Sequence, residues 1–587
     1  MVRSFFKVNA ALTALYHVAY SRTAFGSVAS PAFIGLNNSL GGRLQVGVPW
    51  SEPCFRNFNG RNVALNATGC ALVETNYFNS HLVRTDFFGA YSAIQWESCM
   101  STGDQCMLDW LDPVDPAAIN PPASCKQGSV PPVFIDVENS NDVVEAFNFA
   151  RNTGITLVIK NTGHDFKGRS SAPNSLALWV LMCFFAKMTF IPRFVPESCD
   201  MPEVSAITIA AGVQFADLVP FADSHGVEII AGSDEGVGPA GGYLQGGGHS
   251  VLTPTLGMGA DRVLQYTIVT PDGAVRKANG CQNSDLFFAL RGGGGGTFGV
   301  VMDATVLATP RRSYQVASIN WPVSDNNLKH ILTTFVDNAT SLATAGWGGF
   351  LTPTAGELVL VNPTLTAQQA QDALKPLTNL AISLGGTASI TPFSSFAQWF
   401  SDLEGGQLGI AQDSVGLPNA VTSRLIPEAN HRTEGGRAQL VNALMNAFNN
   451  TIFSQILFTT PFGFKGSNGS DTSVNPVWRT SLYHVVFVNT WLFNSTLADR
   501  QGAYATSTTA VNFLREITPN SGAYHNEADI HEPNFKGTDT LAESFWGIDL
   551  YDKLLQIKNK YDPKHILDCW NCIGWKGANS PQYACYI

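Results

Sequence analysis

The sequence predicts an α+β fold, and three observations predict it. Short apolar or β-branched runs recur between segments of helical spacing, so strands and helices interleave along the chain. Hydrophobic residues make up 45% of the 587 residues and charged residues only 14%, which provides a large core and excludes disorder. The 54 glycines gather at 241–248 and 292–296 instead of recurring with a period, so they mark particular loops. At roughly 100–200 residues per domain, the length implies two to four domains.

The elements follow in order. Residues 1–26 read as a secretory signal peptide: Arg3 and Lys7 precede an apolar run, and Ala24-Phe25-Gly26 offers small residues at cleavage spacing; an ordinary helix is the alternative. Residues 27–126 form a loop-rich, Cys-rich segment ending in a proline-bearing linker with Pro113, Pro116, Pro121 and Pro122. Within 127–312, strands are expected at 130–137, 155–160, 204–211, 262–270 and 298–307. Helices are expected at 142–153, capped by Ser140, and at 215–224, ended by Gly226. A second domain, 313–535, is expected to hold strands at 316–321, 358–365 and 481–492 and amphipathic helices at 366–384 and 434–449. The segment 536–587 contains a helix at 542–561 and a Cys-rich tail. The apolar stretch 179–187 reads as a buried strand or a local irregularity, and no stretch reaches the roughly 18–20 apolar residues of a membrane span.

Charge and cysteines narrow the function classes. With 35 basic and 46 acidic residues the net charge is −11, so the basic footprint of a nucleic-acid binder is missing and a small ligand is favoured. Eleven cysteines, loaded toward the two ends, suit disulfides that pin terminal segments and leave at least one thiol over. Six N-x-[ST] sequons, at Asn37, Asn66, Asn338, Asn449, Asn468 and Asn494, agree with a secreted or secretory-pathway protein. Cys569 and Cys572 with His565 mimic a zinc half-site, but no second pair completes it, so a disulfide knuckle and no metal site are expected.

Three segments carry the chemistry. In 158–171, a strand ends at Lys160 and Asn161, Thr162, Gly163, His164, Asp165 and Gly168 form a polar turn. Its N–H groups, with Arg169, Ser170 and Ser171, can converge on an anion such as a pyrophosphate. In 238–250 two glycine groups flank a short spacer, and in 289–301 five glycines run together between a helix and a strand. Glycine gives up more entropy on folding than any other residue, so such a run persists where a bulky ligand lies against backbone. Each loop alone could be merely flexible; three in one domain read as a ligand cradle. The register of a G-x-G-x-x-G dinucleotide site is absent, as are G-x-S-x-G and H-E-x-x-H.

These segments give the chain a resemblance to a known family. NTGHDFKGRSS (161–171), AGGYLQGGGHS (240–250), DLFFALRGGGGGTFGVV (285–301), GAYHNEAD (522–529) and KYDPKHILDCWNC (560–572) resemble, in order, the berberine-bridge-enzyme-like FAD-linked oxidoreductases. These belong to the vanillyl-alcohol-oxidase/p-cresol-methylhydroxylase superfamily, and the fungal isoamyl-alcohol-oxidase-like members are the most similar. The resemblance implies a two-subdomain PCMH-type FAD-binding domain at 127–312. It implies a substrate domain with an antiparallel sheet covered by helices at 313–535, and a segment 536–587 that returns to the FAD domain. It implies that His164 bonds covalently to the 8α-methyl carbon of FAD, with Asn161, Thr162, Gly163, Asp165, Gly168 and Ser170 around the pyrophosphate. Gly241, Gly242, Gly247 and His249 would run beside the isoalloxazine, and Val237 matches a position that leaves room for O₂. Some members carry a second link from a cysteine; here Asp234 replaces it, so a single covalent link is expected.

The catalytic base is not inherited. The tyrosine of the plant Lys-Tyr-Gly segment is replaced in Thr255-Leu256-Gly257, and Glu527 stands where a second tyrosine would be. Tyr524, Asn526 and Glu527 are the candidate catalytic residues, since a tuned carboxylate or phenol can take a hydroxyl proton while flavin takes hydride. The expected function is an O₂-dependent oxidation of a C–OH or C–H group of a small molecule in fungal secondary metabolism, such as polyketide or alkaloid tailoring. A secreted carbohydrate oxidase and a non-catalytic flavin-binding protein are the alternatives.

Overall fold

The structure is a computed structural model and describes residues 30–79, 84–120, 123–181, 187–404, 415–467, 469–532 and 542–587. The expected signal peptide, Asn468, Cys183 and most of the apolar stretch 179–187 lie outside these residues.

A four-stranded sheet runs Leu44–Val46, Val133–Asp136, Leu176–Trp179, Leu157–Lys160, the last three strands parallel and the first antiparallel at the edge. The helix Ser140–Thr153 covers it with Val143, Ala146, Phe147 and Ala150, which recur at three- and four-residue spacing. Its N-cap is Asn139 and not Ser140: the Asn139 side chain accepts from the N–H groups of Asn141 and Asp142, and Asp142 answers back to the Asn139 N–H. A five-stranded antiparallel sheet follows, ordered Val275–Asn279, Val263–Val269, Val300–Leu307, Val204–Ala210, Met188–Phe194.

The third sheet has seven antiparallel strands, ordered Thr387–Phe393, Tyr314–Asn320, Glu357–Asn362, Gly348–Thr352, Phe453–Phe458, Ser481–Asn489, Ala420–Pro427. Alternation along its strands sorts two faces. Leu351, Ile456, Val485 and Phe487 pack against the helices Asp325–Thr344, Ala367–Ser383, Glu434–Phe448 and Leu497–Ile517. Phe350, Leu457 and Val486 point the other way, toward the five-stranded sheet. The antiparallel sheet covered by helices is therefore present, and the fold is α+β as expected.

Two long helices, Asp325–Thr344 and Leu497–Ile517, lie where patterning assigned no element. The expected single helix at 542–561 is two, Ala542–Phe545 and Ile548–Tyr561, because Gly547 adopts φ +78° between them.

Ten cysteines form five disulfides: Cys54–Cys70, Cys99–Cys585, Cys106–Cys125, Cys199–Cys281 and Cys569–Cys572. The Cys569/Cys572 pair is thus the expected knuckle, and the nearby His565 is spent on the Gly574 carbonyl and Asn559. Among the described residues no helix is long and apolar enough to cross a membrane.

Candidate active site

The turn after the strand Leu157–Lys160, the loop 232–249, the glycines 294–296 and residues 567–569 enclose a groove of about 1450 Å³, mouth included. Backbone makes most of one wall. Gly294 and Gly296 have φ of +99° and +71°, which a side chain would resist, and a Cβ on Gly295 would meet the Gly242 Cα at 3.0 Å. Gly242 itself faces open space: a Cβ there would have nothing within 4 Å.

Asn161, Thr162, Gly163, His164, Asp165, Ser170, Val237, Gly241, Gly242 and His249 all line the groove. Gly168 and Gly247 do not. A Cβ on Gly168 would strike the Trp96 ring at 2.3 Å, so glycine serves packing there, and Gly247 lies against Met258 and Val474. Sequence reasoning could not separate these from wall glycines, because both kinds look alike along the chain.

The groove fits FAD. It is long and glycine-walled, and several buried polar atoms in its lining have no protein partner: Asn161 Oδ1, Ser170 Oγ and Gln245 Oε1. Burying such groups unpaired costs free energy, so they read as contacts for a polar ligand.

His164 sits at the groove with its side chain 12% exposed, and its Nε2 lies 3.5 Å from Asp234 Oδ1. Burial lowers its pKa; Asp234 works against that shift and Lys160 adds to it. Asn526 donates from Nδ2 to the His164 carbonyl at 3.3 Å, while its Oδ1 accepts from Arg169 Nη2 at 2.7 Å. Arg169 also donates to Asp165 Oδ2 at 2.6 Å and to His525 Nδ1 at 2.6 Å, and His525 donates onward to the Asn571 carbonyl at 3.1 Å. Burial, then the neighbouring Arg169 and Lys167, hold the His525 pKa well below its usual value, so it accepts from Arg169 as a neutral ring. This network clamps the segment 524–527 to the turn 161–171.

Glu527 lies where the groove meets a second cavity. His249 Nε2 is 3.0 Å from its Oε1, and His484 Nδ1 is 3.6 Å from its Oε2. Burial pushes the Glu527 pKa up, but His249, by charge and hydrogen bond, and His484 outweigh it, and the carboxyl stays below its ordinary range. His484 is fully buried with neither ring nitrogen hydrogen-bonded, and burial lowers its pKa to about 3. These three groups present donor atoms within 4.8 Å of one another, a spread a metal ion could also span, but the His249–Glu527 contact is that of a hydrogen-bonded pair. Tyr524 lies edge-on to His249 and His484, and burial, then the Glu527 charge, keep its proton on.

The second cavity, about 810 Å³ with its mouth, shares Phe166, Gly232, Ser233, His249 and Glu527 with the groove. Phe350, Trp399, Val421, Leu457, Val486 and Val488 make its far wall, and among the described residues no lysine or arginine lines it. Sequence reasoning missed His484 and this wall. The signal for His484 was a lone histidine inside the apolar strand Ser481–Asn489.

Comparison with known proteins agrees with this geometry. A family model described as FAD binding domain matches residues 131–279, and one described as berberine and berberine-like matches residues 523–569. The FAD-linked oxidoreductase ffsJ of Aspergillus flavipes is 34% identical over 93% of this chain and 92% of its own. The VAO-type flavoprotein MtVAO615 of Myceliophthora thermophila C1 superposes with a TM-score of 0.80 at 25% identity, covering 96% of this chain and 98% of its own. A glucooligosaccharide oxidase of Acremonium strictum with 6-S-cysteinyl, 8α-N1-histidyl FAD shares the fold, with a TM-score of 0.60 at 19% identity over 76% of this chain and 91% of its own.

Proposed function

The chain belongs to the FAD-linked oxidoreductases, and from that premise we propose that it is an oxidase of apolar small molecules, with FAD tethered through His164 alone. Bound in the groove, FAD supplies the two-electron acceptor, and O₂ takes the electrons as H₂O₂. In this reading residues 127–312 serve the cofactor, 313–535 the substrate, and 536–587 return to the cofactor side.

Glu527 is the base. Its carboxylate stands at the junction of groove and cavity, held ionised chiefly by its pairing with His249, where it takes the proton of a substrate O–H. His249 orients it through the 3.0 Å hydrogen bond. Tyr524, which keeps its proton, shapes the pocket, and Asn526 holds the loop to the His164 carbonyl. Val237, on the groove wall, leaves room for O₂.

The observation that carries the substrate reading is the apolar cavity opening onto the groove beside Glu527. An unphosphorylated, mostly hydrocarbon alcohol matches a wall of aliphatic and aromatic side chains with a few amides and hydroxyls such as Asn419, Gln455 and Thr459. A sugar, which needs many fixed polar partners, matches it poorly. Such a substrate suits secondary-metabolite tailoring, and five disulfides suit passage through the secretory pathway.

The test is direct. Purified protein is precipitated in acid and its pellet examined for flavin, then peroxide release is measured with apolar secondary alcohols, polyketide-like alcohols and oligosaccharides. A yellow pellet and turnover of the apolar alcohols are expected. Turnover of oligosaccharides alone would establish the carbohydrate-oxidase alternative, and no turnover with any class would favour a binding protein.

A further inference from the structure

We propose that Asp234 is a positioning residue for attachment of FAD to His164. Its carboxylate selects the imidazole tautomer that attacks and balances the charge that the attack creates. The proposal rests on the reading of His164 as the attachment point.

The geometry supplies the argument. Asp234 Oδ1 lies 3.5 Å from His164 Nε2, and the two side chains are 6% and 12% exposed. The carboxylate is itself fixed: Oδ1 accepts the Gly236 N–H at 2.7 Å, so it cannot swing away without breaking the turn. A carboxylate facing Nε2 keeps the ring proton there, which leaves the lone pair on Nδ1. From the backbone side, Asn526 holds the His164 carbonyl. Lys160, whose buried side-chain nitrogen is tied to the carbonyls of Phe87 and Phe88, opposes a cation at His164. Asp234 favours positive charge on this ring, against burial and Lys160.

The reaction needs that charge. Attachment forms one bond between Nδ1 and the 8α-carbon of FAD and breaks one C–H bond of the 8α-methyl group. The proton of that C–H goes to solvent, its two electrons pass to the isoalloxazine, and O₂ removes them as H₂O₂. The attacking imidazole, alkylated at Nδ1 and still protonated at Nε2, becomes a cation beside the Asp234 carboxylate, which stabilises it or takes its proton. By the family resemblance read from the sequence, position 234 matches the site where some members carry a cysteine that bonds to the flavin. In this chain the same position acts on the histidine.

The experiment compares wild type, Asp234→Asn, Asp234→Glu and His164→Ala, each purified, supplied with FAD in air and denatured in acid at intervals. Bound flavin is read before denaturation and attached flavin after. Asp234→Asn is expected to bind FAD but attach it about 10- to 100-fold more slowly, and Asp234→Glu is expected to recover part of the rate. Attachment by Asp234→Asn at the wild-type rate would overturn the proposal. Should that variant not fold, Asp234→Ser is read in the same way. Flavin retained by denatured His164→Ala, or lost from denatured wild type, would instead remove the reading of His164 itself.

Discussion

The groove wall is made of backbone from three glycine-bearing loops, whereas the cavity wall is made of side chains from neighbouring strands of the seven-stranded sheet. The groove must admit a large polar ligand against the main chain: Gly242 leaves open space on that wall, and Gly295 lets its loop close against Gly242. The cavity needs only a pleated face with its apolar residues turned inward, which any half-buried sheet already has. The first region is specialised for one cofactor, and the second can change substrate by exchanging one side chain at a time.

Four measurements break or sharpen this contrast. Glu527, which belongs to the junction, is expected to matter most: Glu527→Gln should lower kcat/KM by ~10²–10⁴-fold with flavin content unchanged. Activity within tenfold of wild type would place the base elsewhere. Next, Gly242→Ala puts a methyl into space the cofactor needs, which costs about 1–3 kcal/mol of FAD binding. The apoprotein's Tm should not move, because nothing lies within 4 Å of that Cβ; a lowered apoprotein Tm would make the glycine a packing residue, like Gly168.

The third measurement concerns pH. Burial holds the His484 pKa at about 3, while an unfolded histidine titrates near 6.5, so the unfolded chain binds the extra proton in that window. Stability should therefore fall as pH drops from about 6.5 toward 3, by up to ~1.4 kcal/mol per pH unit for this group. His484→Phe should flatten the acid limb of a Tm-against-pH plot; an unchanged limb would assign it to other groups. The smallest effect is expected at the cavity wall, where Val486→Thr keeps shape but adds a hydroxyl. KM for an apolar alcohol should rise several-fold, ~1 kcal/mol, with flavin loading untouched. Lost flavin would show that the two walls are not independent.

The same contrast explains what the sequence made legible. His164 and the glycine loops stood out because close backbone approach demands a residue type that is otherwise costly. The strand Val204–Ala210 and the helices Phe215–Ser224 and Glu434–Phe448 were legible from their periods. Leu497–Ile517 was not: its buried stripe of Tyr504, Ser507, Ala510, Val511 and Leu514 is diluted by small polar residues, so tertiary contact with the sheet decides it. The cavity wall stayed hidden because Phe350 and Val486 look like any core residue until the sheet is assembled. His484 stayed hidden because a lone histidine in an apolar strand gives no sign of the carboxylate that the segment 524–527 brings to it from elsewhere in the chain.

The Cys99–Cys585 bond ties the last residues to the early segment, just beyond the stretch 567–569 that floors the groove. A nascent chain that has left the ribosome only as far as residue 520 lacks Glu527, the floor and this staple together. The catalytic carboxylate, the groove floor and the staple thus reach the site from a part of the chain several hundred residues away from the turn that carries His164.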